Sequence, residues 1–178
     1  TILYEEDWGR YPSAIVHYET RNRSWVELAK KMELSGVKNN KFFLALINPE
    51  LRYIDPWDES HPEKIKLAIA TEISLNPWYF FREIARFDKK EFGGKRYYIN
   101  ANRGNIAAWW CYFNRQDYNL TQPRQSGKST SSNWLVVWLM FFRYRDSDIF
   151  LLTKDNTLRQ NNVRSIKSYR DLLPDYLN

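Results

Sequence analysis

The sequence predicts an α/β fold in which a mainly helical region, residues 1–96, precedes the first part of an incomplete parallel sheet, residues 97–178. Two observations support this prediction. After residue 97, a strand, a loop, a helix, a second strand and a second helix follow one another, which is the order of a parallel βαβ unit. Before it, helical patterns alternate with turns marked by proline. A chain of 178 residues is long enough to bury such a core.

Three helices are predicted in the N-terminal region. The first begins at a cap formed by Ser24 and Glu27. The second covers 62–75 and the third covers 78–87, each beginning beside a proline. The stretch 88–96, rich in lysine and glycine, is predicted to be an exposed linker. Helical spacing places eight side chains of the second and third helices inward: Ile65, Ala68, Ile69, Ile73, Trp78, Phe81, Ile84 and Ala85.

The C-terminal region is predicted to hold three further helices, over 102–115, 129–142 and 156–173. A short extended segment, 118–122, precedes the second of them. The apolar run 149–153 predicts a buried parallel strand between the second and the third. The last helix is amphipathic, and its apolar side is formed by Leu158, Val163, Ile166, Tyr169, Leu172 and Leu173.

Composition narrows the class of protein. Lysine and arginine outnumber aspartate and glutamate by 27 to 21, and the net charge of +6 suits a nucleic-acid or phosphate partner. Aromatic residues make up 17% of the chain, which predicts either an aromatic core or stacking surfaces for bases. The single cysteine, Cys111, excludes an internal disulfide and fits a reducing compartment. The longest apolar run, 134–142, is too short to span a membrane.

The most informative stretch is a loop that ends where a helix is predicted to begin: Gln122-Pro123-Arg124-Gln125-Ser126-Gly127-Lys128-Ser129-Thr130. Gly127 lets backbone N–H groups close around an anion, and Lys128 places a positive charge beside the outer phosphates. The Ser129 hydroxyl can bind Mg²⁺, and the helix N-terminus favours negative charge. These features predict a phosphate-binding loop. The alternative is an ordinary charged loop with Lys128 in solvent.

Two residues of the loop fall outside the general pattern. That pattern has a glycine five residues before Gly127, where this chain has Gln122. Arg124 is an additional cation. It either stabilises the γ-phosphate, as an arginine finger does, or remains a surface arginine.

The loop sequence Arg-Gln-Ser-Gly-Lys-Ser-Thr, residues 124–130, resembles the ATPase loop of the large terminase subunits of tailed bacteriophages, the motors that pump DNA into the procapsid. Many members of that family also lack the leading glycine, in agreement with Gln122. The stretch Leu-Leu-Pro-Asp-Tyr-Leu at 172–177 is similar to a Leu-Leu-Pro-Asp-Phe-Leu ending in the same family. The resemblance covers about residues 102–178, and 76–83 resembles the helical segment before the motor core more loosely.

The resemblance implies a P-loop NTPase-like fold and Mg-ATP hydrolysis coupled to DNA translocation. It implies that Lys128 binds the β- and γ-phosphates, that Ser129 holds Mg²⁺ and that Arg124 contacts the γ-phosphate. The family has an adenine-reading residue 19 positions before the loop arginine, which is Asn105 here, and a polar residue in a first helical turn is the alternative. The rest of the ATP site would be formed by Gln122, Pro123, Gln125, Ser126, Gly127 and Thr130.

One part of the family's site is missing from the sequence. In the family, an apolar strand ends in Asp-Glu, and these carboxylates hold Mg²⁺ and activate water. This chain has no such run, and 149–153 is followed by Lys154 and Asp155. The chain is therefore expected to be the N-terminal part of a terminase, without its nuclease domain, and to have no appreciable ATPase activity alone.

The implied partners are double-stranded DNA, the portal protein, the small terminase subunit and further copies in a ring, within the cytoplasm of an infected host. No membrane partner is expected. The basic segment 89–96 is a candidate DNA contact. Two other functions stay open, a helicase-like DNA-remodelling ATPase and a non-catalytic module that binds DNA or a packaging partner. His17 and His61 are too isolated in the sequence to predict a metal site.

Overall fold

The structure, a computed structural model, describes residues 15–17, 19–37, 41–88, 96–144 and 147–178. Its α-helices are α1 (Arg23–Leu34), α2 (Glu63–Leu75), α3 (Pro77–Tyr79), α4 (Arg103–Phe113), α5 (Lys128–Trp138) and α6 (Asn156–Arg170). Helices α3 and α5 continue as π-helices, Phe80–Ile84 and Leu139–Arg143. Short 3-10 helices span Lys41–Leu44, Pro49–Tyr53 and Asp175–Leu177. Strands β1 (Ile15–Val16) and β2 (Ala45–Leu46) form one antiparallel pair, and β3 (Arg86–Asp88) and β4 (Arg96–Tyr98) form another.

The mixture of helices and strands is confirmed, but the predicted parallel sheet is not found among the described residues. Both sheets there are two-stranded and antiparallel, and neither 118–122 nor 149–153 forms a strand. A strand needs a hydrogen-bonded neighbour, and no described segment pairs with 149–153. Phe150 and Leu152, which were predicted to be buried, are 84% and 98% exposed. The described part of the chain therefore lacks the parallel sheet of a P-loop NTPase-like fold.

The predicted helices form, with changes at their ends. The predicted cap at Ser24 is wrong, because Asn22 precedes α1 and the Ser24 hydroxyl donates to Asn22 Oδ1 over 2.7 Å. Asn22 Nδ2 donates to the Ile99 carbonyl over 3.0 Å, and the Ala101 N–H donates to Ser24 Oγ over 3.0 Å. The segment before α4 thus fixes the start of α1, a contact that local spacing does not predict. Among the described residues, no helix combines the length and the hydropathy that a membrane span requires.

The third predicted helix is shorter than expected, because residues after Ile84 join a hairpin. Arg86 pairs with Tyr98 across β3 and β4. Its guanidinium lies 4.1 Å from the ring centre of Trp57 and 4.5 Å from that of Tyr98. These cation–π contacts favour the extended backbone over another helical turn. The linker predicted over 88–96 is wrong at both ends, because Asp88 and Arg96 pair with each other across β3 and β4. The rest of it, residues 89–95, which with Arg96 is the predicted DNA contact, lies outside the described residues.

Aromatic side chains form the centre of the core, as one of the two sequence interpretations predicts. Phe81 stacks on Trp109 with ring centres 4.0 Å apart, and Trp25 stacks 6.0 Å from the same ring. The Trp138 ring N–H donates to the Ile73 carbonyl over 2.8 Å. Buried residues of both predicted regions belong to one hydrophobic cluster, so α4 and α5 pack directly on the N-terminal helices.

Helical spacing predicts burial well on α2 and α3 and less well on α6. Of the eight side chains placed inward, six are buried, and Ile65 and Ala68 are half-buried. On α6, Ile166 is buried, but Leu158 and Val163 are exposed by 45% and 39%. Only the C-terminal half of the predicted apolar side therefore meets the core.

Two charged side chains lie inside the core, on the π-helix that continues α3. Arg82 is fully buried and Glu83 is nearly so. Arg82 Nε donates to Glu83 Oε1 over 2.8 Å, and its Nη1 donates to the Phe43 carbonyl over 2.6 Å. A third donor, Nη2, lies 3.4 Å from the Ala45 carbonyl. Because a buried charge is tolerated only when it is paired and hydrogen-bonded, these contacts hold the π-helix to the 3-10 helix before β2.

Candidate phosphate-binding loop

The predicted phosphate loop connects α4 to α5 and turns sharply at its end. Gly127, the residue before α5, has φ 82° and ψ 11°, the left-handed conformation that favours glycine. A side chain at this position would come no closer than 3.5 Å to Asn105 Nδ2, so the backbone conformation, and not the space, requires glycine. Gln125 also has a positive φ, 62°. Because these two residues lie close together, the backbone of residues 122–127 forms a tight curl just before α5.

The Lys128 ammonium group is held inside this curl. Its Nζ donates to the carbonyl oxygens of Gln122 over 2.9 Å and Pro123 over 2.7 Å, and it lies 3.4 Å from Ser126 Oγ. Among the described residues, no carboxylate pairs with it. Only neutral groups therefore solvate the positive charge, which keeps it available for an anion.

The Gln122 side chain ties the two ends of the loop together. Its Oε1 accepts from Ser126 Oγ over 2.9 Å, and its Nε2 donates to Asn102 Oδ1 over 3.3 Å. Asn102 Nδ2 donates to the Ser126 carbonyl over 3.0 Å, and Asn102 caps α4 by accepting from the Asn105 N–H over 2.9 Å. At the position where the general pattern has glycine, this chain thus has a side chain that fixes the loop.

Gly104 makes room for Gln122. A Cβ at position 104 would lie 1.5 Å from Gln122 Nε2 and 2.6 Å from its Cδ, so the Gln122 side chain rests on the bare backbone of α4. Neither Gly104 nor Asn102 was predicted from the sequence as part of the site. The available signal was a glycine inside a predicted helix, which costs about 1 kcal/mol relative to alanine and therefore needs a packing reason.

We expect Gly104→Ala to disorder the loop while lowering the free energy of unfolding by only about 1–1.5 kcal/mol. Alanine adds about 0.5–1 kcal/mol of helix stability. Displacement of Gln122 removes two hydrogen bonds of about 1 kcal/mol each. Because Gln122 is a flexible side chain, it can swing away without straining α4. Urea unfolding measures the global effect, and amide hydrogen exchange of residues 122–127 measures the local one.

Gln122→Ala provides the matched comparison, because it removes the same hydrogen bonds without adding a methyl group to α4. In a Gly104→Ala, Gln122→Ala double variant, the added methyl should change loop exchange no further. If exchange of the loop amides in Gly104→Ala equals that of the wild type, Gln122 does not hold the loop.

The first turn of α5 presents backbone donors to the inside of the curl. The N–H groups of Lys128, Ser129 and Thr130 donate to no other described residue, whereas the Ser131 N–H donates to the Gly127 carbonyl over 2.8 Å. The first N–H groups of a helix have no acceptor within it, and together with the helix dipole they attract anions.

Asn105, the predicted adenine contact, lies in the first turn of α4 and is only 2% exposed. Its Nδ2 donates to the Ser126 carbonyl over 3.3 Å. Its Oδ1 has no partner among the described residues. The residue therefore touches the loop and carries a buried acceptor that is not satisfied, while the adenine contact stays a prediction.

No acidic cluster accompanies the loop in the described part of the chain, where no three His, Cys, Asp or Glu side chains form a group suited to a metal ion. Asp155, the carboxylate that follows 149–153, accepts from the Leu158 N–H over 2.7 Å and caps α6. His17 is buried, and this burial lowers its pKa to about 4. The His61 ring contacts the Asp55 carbonyl over 2.9 Å.

The structure joins part of the predicted site by hydrogen bonds. Gln122, Pro123, Ser126, Lys128 and Asn105 form one network with Asn102, a residue that the sequence did not indicate. Arg124, Gln125 and Ser129 are exposed, and Thr130 is half-buried in α5. Comparison of the chain with protein families, curated proteins and solved structures finds no match. The geometry of the loop is therefore the basis for a proposed function.

Proposed function

We propose that this chain binds ATP through the loop 122–130 and belongs to the ATPase of a viral DNA-packaging motor, a large terminase subunit. In such a motor, ATP hydrolysis would drive translocation of double-stranded DNA, with a portal protein, a small terminase subunit and further copies in a ring as partners in the host cytoplasm. One observation carries the proposal. The Lys128 ammonium is held by loop carbonyls and has no acidic partner among the described residues. It lies beside the N–H groups that begin α5, which donate to no other described residue.

A phosphate group would satisfy both features at once. Its oxygens can accept from the N–H groups of residues 128–130 at the positive end of the helix dipole. A charged phosphate oxygen is also a stronger acceptor for an ammonium group than a neutral carbonyl. Lys128 would therefore exchange the carbonyls of Gln122 and Pro123 for phosphate oxygens.

Further features favour a nucleoside triphosphate over a simple phosphate. Arg124 is exposed in the loop, where it can add charge at a γ-phosphate. The Ser129 hydroxyl is exposed in the first turn of α5 and is an oxygen ligand of the kind that Mg²⁺ takes together with phosphates. Asn105 Oδ1 is a buried acceptor without a donor, and an adenine amino group is such a donor.

The described residues support binding better than hydrolysis. Hydrolysis requires a group that positions the attacking water and a firmly held metal ion. Asp155 already caps α6, and no described carboxylate forms a salt bridge with a loop residue. We therefore propose that the chain alone binds Mg-ATP and releases little phosphate.

The experiment is equilibrium binding of a fluorescent ATP analogue, beside phosphate release from Mg-ATP. We expect saturable binding of the analogue. ATP and ADP should displace it and adenosine should not, because the phosphates make the contacts. Phosphate release should equal that of a Lys128→Ala variant. Sustained release above that variant would show that a carboxylate of this chain completes the site, and absence of binding would contradict the proposal.

One observation favours a second function, a non-catalytic module that binds a packaging partner. Phe150 and Leu152 expose large apolar side chains, which is typical of a protein contact. Tight binding of a portal or small-subunit partner without any nucleotide binding would support this function over the first.

A further inference from the structure

Helix α6 carries most of the net positive charge of the chain. Its 15 residues include Arg159, Arg164, Lys167 and Arg170 and no aspartate or glutamate. Because the whole chain has 27 basic and 21 acidic residues, the remainder holds 23 basic residues against the same 21. The rest of the protein is thus close to neutral, and the excess charge is concentrated on one helix.

The cations share one side of α6. By helical geometry Arg159, Arg164 and Lys167 lie within one face, and all three are exposed. The helix packs on α5 beside this face, where Ile166 is buried at its edge, and beyond that edge Tyr169 stacks on the Trp134 ring with centres 5.1 Å apart. The packed side fixes the helix, so the charged side is presented to solvent in a defined orientation.

Helix stability explains only part of this charge, because Lys167 and Arg170 lie in the last turn, where the helix dipole favours cations, whereas Arg159 and Arg164 have no such reason. Arg159 lies in the first turn, where the helix dipole disfavours a cation, and that turn has no acidic residue. Arg164 and Lys167 are three residues apart and repel each other, as do Lys167 and Arg170. None of the four forms a salt bridge with a carboxylate of the described residues. Arg159 donates to the Asn156 side-chain oxygen over 2.6 Å, which leaves its charge unpaired.

We propose that this α6 face, defined by Arg159, Arg164, Lys167 and Arg170, binds the phosphate backbone of double-stranded DNA without sequence preference. From the first to the last of these residues the helix rises about 16 Å, over which duplex DNA carries several negative charges. The choice of DNA rests on the proposed function, whereas the choice of a nucleic-acid backbone rests on the charge of α6.

A membrane surface or a protein partner fits this face less well than a nucleic acid does. Insertion into an anionic membrane requires several bulky apolar side chains on the charged helix, and this face has no aromatic residue and one exposed aliphatic side chain, Val163. A protein interface is centred on buried aromatic or arginine anchors in pockets, and unpaired exposed cations contribute little there. Between the cations stand Asn156 and Gln160, polar side chains of the kind that contact phosphate and sugar oxygens.

The test is fluorescence anisotropy of a labelled 20-base-pair duplex of random sequence, titrated with the chain at several salt concentrations. The variant Arg159→Gln, Arg164→Gln, Lys167→Gln removes three exposed charges from the face. We expect the slope of log affinity against log salt to decrease by about 3, one unit for each lost phosphate contact, and the affinity at roughly 0.1–0.2 M salt to fall about a hundredfold. Arginine-to-lysine changes at 159 and 164 should retain binding, because phosphate contacts depend on charge.

A second triple variant, Lys30→Gln, Lys31→Gln, Lys64→Gln, changes the net charge equally on exposed positions of α1 and α2. It should keep near wild-type DNA affinity. Equal losses in both triple variants, DNA binding by the wild type that does not depend on salt, or no DNA binding at all would overturn the proposal. Binding to anionic vesicles in place of DNA would overturn it too.

The same variants distinguish the proposed DNA-binding face on α6 from the proposed ATP-binding loop. The α6 variant should bind the fluorescent ATP analogue as the wild type does, and Lys128→Ala should bind DNA as the wild type does. Failure of nucleotide binding with intact, α6-dependent DNA binding would contradict the ATP site alone.

Discussion

Lys128→Ala is expected to weaken binding of Mg-ATP by about ten- to a hundredfold, because a hydrogen bond to a charged group contributes about 1.5–3 kcal/mol. In the structure the Lys128 ammonium contacts two loop carbonyls and no described carboxylate, so its removal takes away the only charge that the curl encloses. The backbone N–H groups of α5 and the exposed Arg124 would remain, and weak binding should persist. Titration of the fluorescent analogue at constant salt gives the ratio of affinities.

Lys154→Ala is the matched control, since it removes one exposed lysine outside the loop and should bind ATP like the wild type. Thermal unfolding must show that both variants are folded to the same extent. Equal affinity of Lys128→Ala and the wild type would mean that the phosphates bind elsewhere or not at all.

Arg82→Met is expected to reduce the free energy of unfolding by about 3–5 kcal/mol, the usual loss when one partner of a buried ion pair is removed. Arg82 is fully buried and donates to Glu83 and to the Phe43 carbonyl. Methionine fills similar space but leaves the Glu83 carboxylate without its cation. Because domains are stable by only about 5–15 kcal/mol, the variant should be largely unfolded or highly sensitive to urea. Urea titration followed by tryptophan fluorescence measures the loss.

Two further variants identify the cause. Arg82→Met with Glu83→Gln should regain part of the lost stability, because an uncharged amide is less costly to bury than an unpaired carboxylate. Arg21→Met breaks the exposed contact with Asp55 at 3.6 Å and should lose at most about 1 kcal/mol. A loss for Arg82→Met as small as that for Arg21→Met would show that the buried pair does not hold the π-helix in place.

The helices were predictable because their patterns are local. Apolar spacing on α2 and on the π-helix that continues α3 identified side chains that are buried, including Ile73 and Phe81. The strands were not predictable in the same way, because a strand depends on a partner distant in the chain. The run 149–153 has the composition of a buried strand, yet no described segment pairs with it. Conversely, Arg86 was expected to be helical, and its contacts with Trp57 and Tyr98 place it in a hairpin.

In the candidate site, too, the features that depend on adjacent residues were predictable and those that depend on distant residues were not. The loop was recognisable from Gly127 and Lys128, because the left-handed backbone and the helix start are properties of adjacent residues. Gly104 and Asn102 were not recognised, although they hold the loop through Gln122. They lie about 20 residues before it, and only the packing of α4 against the loop brings them together.

By itself, the sequence determined the helices, the aromatic core, the position of the loop and the excess of positive charge. These follow from residue type and short spacing, which act within one or two turns of the chain. The tertiary structure decided the antiparallel pairing, the burial of Arg82 with Glu83, the support of Gln122 by α4 and the location of the charge on one face of α6. Each of these depends on which distant segments come into contact, because hydrogen bonds and burial are satisfied between elements and not within them.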